Sequence, residues 1–135
     1  MKNLSVLEAK RFGVFSCHAH ETMGVAACQM ADRDISCLVV VDEEGYLEGL
    51  ISRTDLMRAC VADDDWRKAQ VSDYMSRAVV TVSTEDSLDT VMRLLVEKHI
   101  HRVVAIQPED GKLWPMAVLS AADIVYHMMR EGKGC

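Results

Sequence analysis

No stretch of this chain approaches the roughly 18 uninterrupted apolar residues that a membrane-spanning helix needs, which excludes a span of that kind. There is no C-x-x-C among the five cysteines, Cys17, Cys28, Cys37, Cys60 and Cys135. An odd count without paired spacing argues against a disulfide framework or a zinc-thiolate site. Three of them lie in predicted apolar strands or helices, so reduced core residues are expected. The phosphate-binding pattern G-x-x-x-x-G-K-[ST] is missing, and no Ser or Cys stands in a recognisable nucleophile motif, so the chain does not read as an enzyme. Lys2, Glu8, Lys10 and Arg11 charge the N-terminal segment where a secretory leader would carry an apolar region; a cytoplasmic location is the expectation. A net charge of −6 disfavours non-specific nucleic-acid binding, while leaving room for a local basic patch that holds a phosphate.

What the chain has is a repetition. Its 135 residues, half of them apolar, suit one compact domain. Yet the segment from Thr22 to Leu56 returns from Ser87 to Ile124, each copy ending in Ser-x-x-Asp. Met23, Ala26, Ala27, Met30, Ile35, Leu38 and Val39 recur as Leu88, Val91, Met92, Leu95, Ile100, Val103 and Val104. A unit of about 60 residues is marginal alone. Two copies, divided as residues 1–66 and 67–135, are expected to bury their apolar faces on each other and to leave a related cleft on each side of the joint.

Each copy reads as a short strand, helix, strand, turn, strand and helix, an α+β (α/β) unit of the form β-α-β-β-α. The opening strands are expected at Val14 to Cys17 and Val79 to Val82. Leu88, Val91, Met92 and Leu95 fall at i, i+3, i+4 and i+7, the stripe of an amphipathic helix, and Met23, Ala26, Ala27 and Met30 do the same. The β-branched runs Cys37 to Val41 and Val103 to Ile106 end in turn signals, Asp42-Glu43-Glu44-Gly45 and Gln107-Pro108-Glu109-Asp110-Gly111. Return strands Leu47 to Ile51 and Leu113 to Leu119 lead into helices that start near Asp55 and Asp123. The acidic Ala62-Asp63-Asp64-Asp65 marks a solvated connection, and the tail from Glu131 to Cys135 reads as frayed.

These residues resemble the tandem cystathionine β-synthase domain pair, the CBS pair or Bateman module, over nearly the whole chain. The resemblance is carried by Gly49-Leu50-Ile51-Ser52-Arg53-Thr54-Asp55, Ile100-His101-Arg102-Val103-Val104, Leu119-Ser120-Ala121-Ala122-Asp123 and Val71-Ser72-Asp73-Tyr74-Met75. It implies two units packed as a pseudo-two-fold pair, a regulatory rather than catalytic role, and an adenine nucleotide (AMP, ADP or ATP) or another adenosyl ligand held in the clefts. It also implies a homodimer formed through the helices that carry Met57, Met75, Met128 and Met129, with an unknown protein target. The alternative is a purely structural dimerisation module with no bound ligand.

Ser-x-x-Asp is also the pattern of a helix capping box, although aspartate is shorter than the Glu or Gln that usually closes one. Capping and binding can coexist, because a strand running into a helix N-terminus aims N–H groups and a positive dipole end at the same spot. By the resemblance, Asp55 and Asp123 each take two ribose hydroxyls, and Ser52 and Thr54 donate toward phosphate. The first cleft then comprises Leu50, Ile51, Ser52, Arg53, Thr54 and Asp55 together with Val80, His101 and Arg102 of the other copy. The second, weaker one comprises Phe15, Ser36, Cys37, Ser120 and Asp123. It has no cation in the place of Arg102, and Ala122 stands where Thr54 does, so phosphate is expected at the first cleft. His18-Ala19-His20 and His99-Ile100-His101 have an alternation that metals can use. The first sits at a strand-to-helix junction and the second straddles a helix end, where polar residues are ordinary, and no metal is expected at either.

Overall fold

A computed structural model describes residues 1–131; of the expected frayed tail Glu131 ends the last helix, and residues 132–135, Cys135 among them, lie outside the described residues. The elements run α1 (Val6–Ala9), β1 (Ser16–His18), α2 (Met23–Arg33), β2 (Cys37–Val41), β3 (Leu47–Ser52), α3 (Arg53–Ala62), α4 (Val71–Tyr74), β4 (Thr81–Ser83), α5 (Leu88–Lys98), β5 (Arg102–Glu109), β6 (Lys112–Ser120) and α6 (Ala121–Glu131), with one 3-10 turn at Trp66–Lys68. They form two three-stranded sheets, β1-β2-β3 and β4-β5-β6, so the α+β class and the repeated unit are as the sequence indicates. In each sheet the first pairing is parallel and the second is an antiparallel hairpin. Among the described residues no helix is long and apolar enough to cross a membrane.

The compact units are residues 15–79 and residues 1–14 with 80–135. The expected division at 66/67 follows the sequence pattern, whereas these units exchange the leading segments. The chain before β1 belongs with the second sheet, and the chain before β4 belongs with the first. The bridges give the symmetry: Ser5 pairs with Ser87 in one unit, and Gln70 pairs with Thr22 in the other. Val6 and Val71, the first residues of α1 and α4, are each fully buried in the core they join. Both helices are single turns, too short to persist without packing. α1 is further set by a capping box, in which the Ser5 N–H donates to Glu8 and holds that exposed carboxyl below its usual range.

Core positions follow the apolar stripes. Met23, Ala26 and Met30 of α2 and Leu88, Val91 and Leu95 of α5 are buried, against Leu38, Val40 and Ile51 in one unit and Val103, Ala105 and Leu119 in the other. Both helices end on a residue in the left-handed conformation, Asp34 at φ 51° and His99 at φ 53°. The opening strands are displaced from expectation by one or two residues, to Ser16–His18 and Thr81–Ser83, because these are the residues that pair with Val39–Val41 and Val104–Ile106. The second hairpin departs most. Its strand continues through Gln107, Pro108 and Glu109, and the turn shrinks to Asp110-Gly111, at φ 51° and 77°. An Asp-Gly pair with both φ positive makes the two-residue turn that suits strand twist. Pro108 is tolerated past Ile106, where β4 no longer pairs, and Pro115 flanks a bulge. The first hairpin has its bulge at the same place, between Val40 and Val41.

Of the described cysteines only Cys17 lies in the core, where burial pushes its thiol up to about 12. Cys28 and Cys60 are exposed, and Cys37 is half-buried. They occupy apolar elements but face away from the buried stripe. Met75, expected at a subunit contact, instead packs on the first core.

Gly49 is required by close approach. A Cβ there would lie 2.6 Å from the Ser76 carbonyl oxygen, where Leu50 and Ser76 exchange backbone hydrogen bonds of 2.9 Å. Gly49→Ala is expected to cost about 1–3 kcal/mol in urea unfolding. Gly13→Ala meets nothing within 4 Å and should change stability by less than about 0.5 kcal/mol.

Candidate functional site

The last residue of β3 and the last residue of β6 are both serines, and each is followed at once by a helix. The two turns are the same object. Asp55 Oδ2 accepts the Ser52 N–H at 2.8 Å and the Ser52 hydroxyl at 3.0 Å; Asp123 Oδ2 accepts the Ser120 N–H at 2.8 Å and its hydroxyl at 3.1 Å. In return each serine Oγ accepts the aspartate N–H at 3.4 Å. The capping box is therefore real, and the shorter acid closes it because its carboxylate folds straight back over the first turn. Asp55 and Asp123 are the buried charged residues among those described, each 7% exposed.

With Oδ2 committed to the serine, each aspartate offers Oδ1, and in both units an arginine answers it. For Asp55 it is Arg58, one turn along α3, which also donates to the Tyr74 carbonyl. For Asp123 the corresponding helix position is Tyr126, and the guanidinium comes from Arg11 at 3.4 Å, lying 4.0 Å over the Tyr126 ring and 5.0 Å over Phe12. Neither arginine was singled out from the sequence. Arg58 had a local signal, since i and i+3 share a helix face. Arg11 is 112 residues from its partner and had none. A carboxylate has about four acceptor positions, so three are used at each aspartate before any ligand arrives.

Within residues 15–79, the first turn collects Leu50, Ile51, Ser52, Arg53, Thr54 and Asp55 with Ser36 and Cys37. Cys37 pairs with Ser52 across the sheet, and the Ser36 carbonyl accepts the Arg53 N–H at 3.0 Å. Ile51 is core, Leu50 bonds to Ser76, and Thr54 is exposed. Arg53 turns to Asp34 at 3.0 Å on the surface. Phe15 packs on the same core beneath the Arg33 guanidinium, 4.6 Å away. In the other unit Arg102 pairs with Ser120, the His101 carbonyl accepts the Ala121 N–H at 3.0 Å, and the Val80 carbonyl accepts the Val104 N–H at 3.1 Å. His101-Arg102 thus occupy the place that Ser36-Cys37 occupy in the first copy.

A CBS domain model matches residues 9–62 and, a second time, residues 71–130. The chain belongs to the CBS domain family. The transcriptional repressor CcpN of Bacillus subtilis (strain 168) is 31% identical over 111 residues, 79% of this chain; the chain spans 52% of that repressor's own length. The CBS domain pair of protein MJ0100, solved in complex with 5′-methylthioadenosine and S-adenosyl-L-methionine, superposes with a TM-score of 0.84 at 22% identity, covering 96% of this chain and 99% of that one. CBSX2, solved in complex with AMP, gives 0.81 at 19% identity, covering 96% and 98%. At these identities the structural likeness is one of fold. The two family matches make this chain a tandem CBS pair.

The serine caps set the geometry of both carboxylates. Ser52→Ala and Ser120→Ala are each expected to cost about 1 kcal/mol, read as a shift of the urea midpoint at unchanged slope.

Proposed function

We propose that this CBS pair is a regulatory, non-catalytic module that binds an adenosyl ligand, with an adenine nucleotide (AMP, ADP or ATP) taken at the Asp55 turn. The observation that carries the reading is the pair of buried carboxylates, each fixed by its own serine on one oxygen and answered on the other by an arginine that solvent can reach. Arg58 is 61% exposed and Arg11 is 30% exposed in their side chains. Two vicinal hydroxyls are neutral donors that can take over the arginine's place while the serine bonds stay. CBS pairs solved with AMP and with S-adenosylmethionine make that ligand class the natural one.

In this reading Ser52 and Thr54 meet the phosphate at the first turn. The second ligand position uses Asp123 and Ser120, and it takes a ligand of little negative charge or none. Charge-assisted hydrogen bonds contribute roughly 1.5–3 kcal/mol each, about one to two decades of affinity for a phosphorylated ligand. A homodimer is proposed through the exposed apolar residues Met57 and Val61 of α3 and Val125, Met128 and Met129 of α6. Those faces also support the second reading, a dimerisation module without ligand.

Thermal shift with AMP, ADP, ATP, NAD and S-adenosylmethionine separates the two. A ligand at 100 times its dissociation constant stabilises by about 2.7 kcal/mol. Asp55→Asn, which keeps the size of the side chain, should abolish the nucleotide response, and Asp123→Asn should leave most of it. A flat panel with the unaltered chain supports the ligand-free module, and loss with Asp123→Asn alone reverses the two positions.

A further inference from the structure

We propose that His18, His20 and Glu43 form a surface site for a divalent transition-metal ion of the zinc class. The turn that ends β1 is closed on itself: the His18 N–H donates to Glu21 Oε1 at 2.9 Å, and the Glu21 N–H donates to the His18 carbonyl at 3.1 Å. That closure lays the two imidazoles side by side, ring centres 5.6 Å apart and planes within 3° of parallel. Strand pairing supplies the third donor. His18 pairs with Val41, so the β2–β3 turn, two residues further on, reaches the same place with Glu43. Its backbone is fixed by Asp42 Oδ1, which accepts the N–H groups of Glu44 and Tyr46 at 2.9 and 3.0 Å, and by Gly45 at φ 98°.

Glu43 Oε1 stands 3.1 Å from His20 Nε2 and 4.0 Å from His18 Nδ1, and the three donors lie within 4.8 Å of one another. With bonds of about 2.0–2.2 Å, donors on one tetrahedral zinc stand about 3.4 Å apart. One pair already meets that spacing, and His18 reaches it by a small ring movement that exchanges its 3.1 Å hydrogen bond to the Val41 carbonyl for a metal bond. Two imidazoles and one carboxylate select a borderline transition ion over magnesium or calcium, which take oxygen ligands. Three protein donors leave the remaining position to water. Cys17, the neighbour in sequence, stays out: it is 2% exposed and packs in the core.

The sequence set the histidine pair aside because a strand-to-helix junction explains polar residues there. The carboxylate comes from 23 residues away. Isothermal titration of the whole chain with zinc chloride should show one saturable equivalent. His20→Ala and Glu43→Gln should each weaken it at least tenfold, while the Cys28→Ser/Cys60→Ser double variant retains it. Cobalt(II) should give d–d absorption without a thiolate charge-transfer band. Absence of saturable binding, survival of binding in a His18→Ala/His20→Ala double variant, or a thiolate band with cobalt would each overturn the site.

Discussion

A carboxylate buried at the point where a strand becomes a helix must be answered on both oxygens, and that requirement organises both halves of this chain. Unpaired, such a charge would cost several kcal/mol. One oxygen is satisfied locally, by the N–H and hydroxyl of the serine three residues earlier, and this fixes the angle at which the helix leaves the sheet. The other oxygen is satisfied by an arginine. In the proposed reading fold and binding draw on the same group without competing for the same atoms, since the serine bonds hold the structure and the arginine bond is the one a ligand would replace.

The repetition is deeper than the hydrophobic pattern, and its departures are informative. Bulges, left-handed helix ends and the bridges of the leading segments all recur at equivalent places. Each is a backbone device that any side chain of suitable size can fill, so each survives divergence of the two copies. What differs is chemistry at the edge of the turns: Ser36-Cys37 against His101-Arg102, Thr54 against Ala122, Arg58 against Tyr126. Backbone geometry was kept while the charges around it were redistributed.

The long helices were legible because burial repeats at about 3.6 residues, the central strands because short β-branched runs are buried almost throughout, and the Ser-x-x-Asp turns because capping is local. Three features were not. Turn signals in Gln107-Pro108-Glu109-Asp110-Gly111 outvoted strand pairing, because the tolerance of Pro108 depends on where β4 stops, which no local pattern records. Cys28 and Cys60 read as core from composition, although the helix phase points them outward. Arg11 and Glu43 reach their partners only through packing and strand register, so their roles appear only once the chain is folded.

The two arginines differ in how they are held, and this bears on which aspartate would yield to the proposed ligand. Arg58 springs from the same helix as Asp55, is mostly in solvent, and withdraws by a change of rotamer. Arg11 arrives on the exchanged leading segment, stacks on Tyr126 at 4.0 Å and on Phe12 at 5.0 Å, and sits just beyond α1, whose Val6 and Ala9 are fully buried. Cation–π contacts add roughly 0.5–1 kcal/mol apiece at exposed sites and more when desolvated. Freeing Asp123 therefore breaks an ion pair and two ring contacts, where freeing Asp55 breaks an ion pair and one hydrogen bond to a carbonyl. The ordering favours Asp55 on grounds independent of any phosphate-binding side chain, and two separate physical terms point to the same asymmetry between otherwise matching turns.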